Sequence, residues 1–257
     1  MSVILETKNL GISFGGLIAL DNLNIQLQKE EILGIIGPNG AGKTTFLNLI
    51  SGVYSPTQGE IIFKGNCLNG LKPYSIASMG ISRTFQNIRL IPYLSVLENV
   101  MLGRSLRLKA NTLSEVILGK QTKRERKEWI ENARQLIDYI GLTDVIDSDA
   151  VDLPYGMQRK VEIARAIATD AELILLDEPG AGMNSQEKDE LVLFIKDIRK
   201  KMNKTIIVIE HDMKFIGLLV DRVIVFNFGR QLAEGSVSDV KMNPKVIAAY
   251  LGEGVCG

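Results

Sequence analysis

Hydrophobic and polar positions alternate loosely along residues 3–35, first through VILETKNLGISF and then, after a Gly-Gly pair, through FGGLIALDNLNIQLQ. Alternation interrupted by a glycine pair predicts short strands joined by turns. The pattern then compresses. EILGIIG reads as a compact apolar strand, GPNGAGKTTFLNLISG passes from a glycine-rich loop into a helix that stops at Gly52, and GEIIFKG is a further strand between glycines. Between residues 87 and 160 the texture changes. Trp129, Ala133, Leu136, Ile137 and Ile140 recur at helical spacing until Gly141 ends the run, and the charges of KRERKE at 123–128 read as a solvated helix face.

After residue 170 strands and helices alternate again. ELILLDEP is a buried strand, NSQEKDELVLFIKDIRKKMN a helix, KTIIVIEHD a strand, DMKFIGLLVD a helix and RVIVFNFGRQLAEG a hairpin. Such alternation argues for a mostly parallel sheet, which the helical block interrupts.

Composition narrows the possible classes. The 257 residues suffice for a well-buried core and perhaps two structural units. Thirty lysines and arginines balance thirty aspartates and glutamates, which gives no support for nucleic acid as the main partner. Cys67 and Cys256 lie far apart without metal-ligand spacing, which points to a reducing compartment and no disulfide framework. No basic region followed by a long apolar run opens the chain, so no signal peptide is expected. No apolar run reaches the roughly 18 residues of a membrane span. The best attempt, at 205–228, is broken by Glu210, His211, Asp212, Lys214, Asp221 and Arg222. A soluble chain is expected, with any membrane role exerted through a partner.

The candidate chemistry starts at the glycine-rich loop. Gly37, Gly42, Lys43 and Thr44 fit the eight-residue pattern G-x-x-x-x-G-K-S/T. Glycines let backbone N–H groups wrap phosphate oxygens with no Cβ in the way. Lys43 offers a point charge to β- and γ-phosphates, Thr44 a magnesium ligand, and the following helix the positive end of its dipole. Downstream, Asp177 ends an apolar strand, where its carboxylate reaches magnesium through water, and Glu178 follows it as a base for an attacking water. His211, the single histidine, follows a strand, and ligands gather at that end of parallel sheets.

On these residues the chain resembles the ABC-transporter ATPase family over nearly its whole length. GPNGAGKTT looks like Walker A and LILLDEP like Walker B. The resemblance implies a P-loop NTPase (RecA-like) α/β core with an antiparallel β subdomain and an inserted helical subdomain. The core and β subdomain would be 1–86 and 161–257, and the helical part 87–160. It further implies that Gly37, Pro38, Asn39, Gly40, Ala41, Gly42, Lys43, Thr44 and Thr45 cradle ATP, that Phe14 stacks on adenine, and that Gln86 in SRTFQN senses magnesium and the γ-phosphate. AGMN at 181–184 matches the D-loop and His211 the switch histidine. Partners implied are a second ATPase subunit, arranged head to tail as a homo- or heterodimer, membrane permease subunits and, indirectly, a periplasmic substrate-binding protein. The implied location is the cytoplasmic face of the inner membrane.

One loop departs from the family pattern. Where the signature runs Leu-Ser-Gly-Gly-Gln, this chain has Leu153, Pro154, Tyr155, Gly156 and Met157, followed by Gln158 and the helix RKVEIARAIA. Val161, Ala164 and Ala168 give that helix one apolar stripe. Pro154 lacks a hydroxyl and its own N–H, and a hydrogen bond to a charged phosphate is worth about 1.5–3 kcal/mol. Gly156 and Met157 keep N–H groups, and proline suits a helix's first turn. Tyr155 cannot take positive φ as freely as glycine, so a different backbone is expected there. The reading is a weakened clamp that still closes over the partner's ATP.

Within the family, FGGLIALDNLN, SRTFQNIRLIPYLSVLENVMLG, the long insertion near 103–130 and NPKVIAAYLGEG resemble ATPases of branched-chain amino acid importers. Urea or amide importers and lipopolysaccharide exporters share the outline. Leu90, Ile91, Pro92, Tyr93 and Leu94 either face the groove for the permease's coupling helix or pack the helical block. The short block between Gln86 and Gly156 holds no sustained heptads, which argues against a DNA-repair or chromosome-organising ATPase. No Asn-Lys-x-Asp guanine reader is present. A nucleotide-gated module with little turnover is the remaining alternative, against which Glu178 and His211 speak.

Overall fold

The structure is a computed structural model that describes residues 2–105 and 120–251. Part of the insertion near 103–130, the end of NPKVIAAYLGEG and Cys256 lie outside the described residues.

The first unit is antiparallel. β1 (Val3–Phe14), β2 (Leu17–Leu23) and β3 (Gln26–Gln28) join β5 (Gln58–Phe63) and β6 (Asn66–Cys67) in a five-stranded sheet. Register shifts interrupt every pairing that β1 makes, which explains why its alternation is only loose.

The second sheet carries the site. β4 (Ile32–Ile36) is central and buried at every residue, and so are β8 (Leu173–Asp177) and β9 (Thr205–Ile209). Continuous apolar runs of this kind belong to parallel strands covered on both faces. With β7 (Ile81–Arg83), β10 (Arg222–Asn227) and β11 (Arg230–Gly235), the strand order is β11-β10-β4-β9-β8-β7. Only β11 runs antiparallel to its neighbour. The expected α/β architecture is therefore present, with its antiparallel subdomain.

Helices cover both faces. α1 (Lys43–Ile50) follows β4, and the chain turns at Gly52, whose φ is 72°. α2 (Pro73–Met79) has no counterpart in the hydrophobic pattern: of its residues only Ile76 is buried, so it has no stripe to read. The helical block holds α3 (Val96–Ser105), α4 (Lys120–Tyr139) and α5 (Tyr155–Ala168). Lys127 and Glu128 of KRERKE are exposed on α4; its side chains at 123–126 lie outside the described residues. α6 (Ser185–Met202) starts in a capping box made by Asn184 and Glu187 and stops at Asn203 in the left-handed region. α7 (Met213–Leu219), α8 (Val237–Met242) and α9 (Pro244–Leu251) are the last helices among the described residues.

Two apolar clusters flank the parallel sheet. One joins β1, β2 and α1 to Leu33, Ile35, Leu173 and Ile207. The other joins α3, α4 and α5 to Ile32, Ile36, Ile174 and Val208 from the opposite face. The helical block thus shares a core with the sheet, and α5 runs unbroken across residue 160, where the sequence-based division was drawn.

α5 is fixed by close approach to α3. A Cβ on Gly103 would lie 2.2 Å from the Arg165 carbonyl oxygen and 3.0 Å from the Ala168 Cβ. Gly103→Ala is expected to lower stability by about 1–3 kcal/mol through overpacking. Urea unfolding measures this, and an unchanged midpoint would show that the two helices separate without cost.

Candidate active site

The glycine-rich loop leaves β4 and enters α1 with three glycines at positive φ: Gly37 at 149°, Gly40 at 77° and Gly42 at 101°. Space enforces two of them. A Cβ on Gly37 would sit 2.2 Å from the Phe226 carbonyl oxygen, and one on Gly42 2.4 Å from Leu20 Cδ2. Lys43 is buried, and its Nζ donates to the carbonyls of Gly37 at 2.6 Å and Pro38 at 2.8 Å. The ammonium is therefore held inside the loop it serves. Thr44, at the open start of α1, is exposed.

Asp177 ends β8 and is buried against Arg83, whose Nη2 lies 2.9 Å from its Oδ2. Arg83 also donates to Asn48 Oδ1 at 2.6 Å and Ser51 Oγ at 3.2 Å, so it ties β8 to α1. The other Asp177 oxygen accepts no hydrogen bond among the described residues. Arg83 thus occupies one carboxylate oxygen and leaves the other for a water or metal. Among the described residues no group of three or more His, Cys, Asp and Glu side chains forms a metal cage. A threonine hydroxyl and one carboxylate oxygen are hard donors, and too few to enclose an ion. That set fits magnesium, which keeps waters and takes its other ligands from phosphate.

Glu178 has φ 47°, an uncommon left-handed conformation for a side-chain-bearing residue, braced by its N–H to the Ile209 carbonyl at 2.9 Å. Gln86 donates from Nε2 to Glu178 Oε2 at 3.0 Å. The largely exposed His211 side chain places Nδ1 4.0 Å from Glu178 and 3.9 Å from Glu210. Glu210 accepts from the N–H groups of Gly180 at 2.7 Å and His211 at 3.2 Å. Burial pushes its carboxyl above the usual range, against the pull of those bonds.

A cavity of about 520 Å³ runs from Phe14, Leu17 and Ile18 past the loop residues Asn39 to Thr45 and reaches Glu178. Phe14 is 44% exposed at the end of β1 and meets Tyr54 edge to face. One wall is apolar and the opposite end polar, the division that a base and a phosphate chain require.

The departing loop is helical at once. Pro154 is the N-cap of α5 at φ −52°, and Tyr155 is the first helical residue, with no positive φ. Tyr155 takes an ordinary right-handed helical backbone, so a side chain is accommodated there without strain. Met157 and Gln158 both donate to the Pro154 carbonyl, at 2.9 and 3.0 Å. Of the two N–H groups expected to be open, Met157's is thus engaged; those of Tyr155 and Gly156 have no intrahelical acceptor. Gln158 turns inward, donating to the carbonyls of Val151 and Leu153.

Behind this loop lies Arg159, with 0% exposure, paired to Glu162 at 2.7 Å. Its guanidinium also donates to the carbonyls of Phe85 and Gln86, each at 3.0 Å, and to the Tyr155 hydroxyl at 3.2 Å. Arg83, Arg159 and Glu162 escape sequence reasoning because charged residues read as surface. The available signal for the pair was an i, i+3 charge couple beside the apolar stripe of α5. Of the segment 90–94, Leu90 is buried, whereas Ile91 is 45% and Tyr93 94% exposed.

Comparison with known proteins gives the chain's family. The family described as ABC transporter matches residues 20–181, and that described as branched-chain amino acid ATP-binding cassette transporter matches residues 230–255. The high-affinity branched-chain amino acid transport ATP-binding protein LivG of Escherichia coli K12 is 42% identical over 250 residues, 97% of this chain and 98% of that protein. BraF of Pseudomonas aeruginosa, which carries the same description, is 39% identical over the same shares. Among solved structures, the ADP conformation of the ATP-binding cassette MJ1267 is similar with a TM-score of 0.85 at 28% identity, over 98% of this chain and all of that one. The dimeric cassette MJ0796 with ADP and Pi gives 0.74 at 26% identity, over 91% of this chain and 99% of that one.

The seat of His211 yields a pH prediction. Asp212 caps α7, accepting from the N–H groups of Lys214 and Phe215, and pairs with Lys188 at 2.7 Å. The Lys188 bond first, and the two amides after it, hold its carboxyl down at about 2. A depressed carboxyl stabilises the fold above its ordinary value of 3.8 and loses that contribution as pH falls through about 2. Asp212→Ala is expected to cost about 1–2 kcal/mol at neutral pH. Urea unfolding at pH 7 and pH 3 should show the cost shrinking at the lower pH; an equal cost at both would assign it to something other than the carboxylate.

Proposed function

The chain belongs to the ABC transporter family and is an ATPase, and from that footing we propose that it powers an importer of branched-chain amino acids. The substrate reading is supported by the likeness to LivG and BraF over nearly the whole chain. The observation that carries the catalytic reading is the meeting of the Lys43 loop, the Gln86–Glu178 pair and His211 at one edge of the parallel sheet.

In this reading Phe14 receives the adenine and the loop from Gly37 to Thr45 the phosphates. Lys43 exchanges its two carbonyl partners for β- and γ-phosphate oxygens, so the ammonium stays paired throughout. Thr44, Asp177 through water, and Gln86 hold magnesium. The ion, when bound, offsets charge between the phosphates. Glu178 takes a proton from the attacking water on Oε1, while Gln86 holds Oε2. His211 reaches the γ-phosphate from the adjoining strand.

The loop from Pro154 to Gln158 caps the ATP of a second ATPase subunit, met head to tail, through the Tyr155 and Gly156 N–H groups and the positive end of α5. Permease subunits dock on the exposed Ile91 and Tyr93, which places this chain on the cytoplasmic face of the inner membrane. A periplasmic binding protein delivers the amino acid to the permeases.

Glu178→Gln is expected to keep ATP binding while lowering kcat by at least about a hundredfold, the usual worth of a general base. A variant as active as the parent would remove Glu178 from that role. In the Glu178→Gln background, Pro154→Ser is expected to strengthen ATP-driven dimerisation by about tenfold, the worth of one hydrogen bond to phosphate. Equal dimerisation in sedimentation would show that the proline does not weaken closure.

A further inference from the structure

Arg159 is a fully buried, heavily engaged side chain outside the set just assigned. A buried charge costs several kcal/mol unless paired and hydrogen-bonded. Glu162, itself 1% exposed, supplies the counter-charge. One pairing would have sufficed for neutrality. The guanidinium instead spends its other protons on a specific piece of backbone: Nη1 reaches the Phe85 carbonyl and Nη2 the Gln86 carbonyl. Its Nε has no partner among the described residues, so the group is aimed at the expense of one donor. Glu162 grips the same segment from the other side, accepting long bonds of 3.4 Å from the N–H groups of Phe85 and Arg89.

The second contact of Nη2 is the Tyr155 hydroxyl, in the first turn of α5. The Tyr155 ring lies against the D-loop, 3.5 Å from where a Gly182 Cβ would stand. A side chain where the family pattern has glycine therefore joins three loops. The contacts form an unbroken line from Tyr155 through Arg159 to the Gln86 backbone, and from the Gln86 amide to Glu178.

We propose that Arg159 is a positioning residue that sets the seat of Gln86 from the start of α5, so that closure of Tyr155 over the partner subunit's ATP adjusts Gln86 and Glu178 at this chain's own ATP. This rests on the reading of Gln86 and Glu178 given above. Arg159 touches neither nucleotide; it acts through the backbone it holds.

The test is a double-mutant cycle in the assembled transporter, with ATP affinity and turnover measured separately. Arg159→Met, of similar length but uncharged, is expected to leave ATP affinity within about twofold and to lower kcat at least tenfold. In the Gln86→Ala background the same substitution should lower kcat by less than about threefold, because the seat then holds nothing. Tyr155→Phe removes only a hydroxyl from a partly exposed ring and folds if the parent does. It should give a smaller kcat loss that also disappears with Gln86→Ala. Losses that persist in full without the glutamine side chain would overturn the proposal, as would a Tyr155→Phe variant with parental kcat. If Gln86→Ala alone leaves turnover intact, the reading of the site itself fails and the proposal falls with it. If Gln86→Ala impairs turnover and the cycle is additive, the site stands and Arg159 is structural only.

Discussion

Parallel pairing of β8, β9, β4 and β10 is the constraint on which the site depends. Neighbouring strands are held about 4.8 Å apart by their backbone bonds, and because all run the same way their carboxyl ends share one edge. The phosphate loop leaves β4, Asp177 ends β8 with Glu178 directly after it, and His211 follows β9. Three short segments distant in sequence thus arrive side by side without a long loop to place them. Burial on both faces keeps that edge rigid, which is why β4, β8 and β9 are apolar at nearly every position.

Buried charges form the next layer, and several of them cross between elements. Arg83 binds Asp177 to α1, and Arg159 with Glu162 binds the Gln86 segment to α5. Glu210, its carboxyl raised by burial, accepts the N–H groups of Gly180 and His211 and so links the ends of β8 and β9. Such groups are expensive to desolvate and intolerant of loose geometry. They give the loops fixed positions where apolar packing, which is non-directional, would allow sliding. The site is consequently a set of short loops held from behind by charge pairs and served at the front by groups with open valences.

The odd signature loop takes its meaning from this arrangement. Pro154 starts a helix cleanly, and Tyr155 needs no left-handed backbone, so its departures do not disturb the chain's course. What changes is the set of donors: the Met157 N–H turns to the Pro154 carbonyl, and the N–H groups of Tyr155 and Gly156 remain. Tyr155 adds a hydroxyl that reaches back to Arg159.

The sequence by itself determined the central strands, the helices that cover them and the phosphate loop. Apolar runs, glycines at forced turns and the helix signals around Asn184 and Asn203 act over a few residues, so they can be read where they stand. α2 was invisible for the same reason, since one buried residue makes no pattern. Only the tertiary structure decided which charges are buried and what they hold. Arg83 meets Asp177 across 94 positions, Gln86 meets Glu178 across 92 and Arg159 meets Phe85 across 74. A lysine or arginine in a sequence carries no mark of the partner that will take it out of water. That is set by which strand edges the sheet brings together, and so the anchors of this site became visible only in the folded chain.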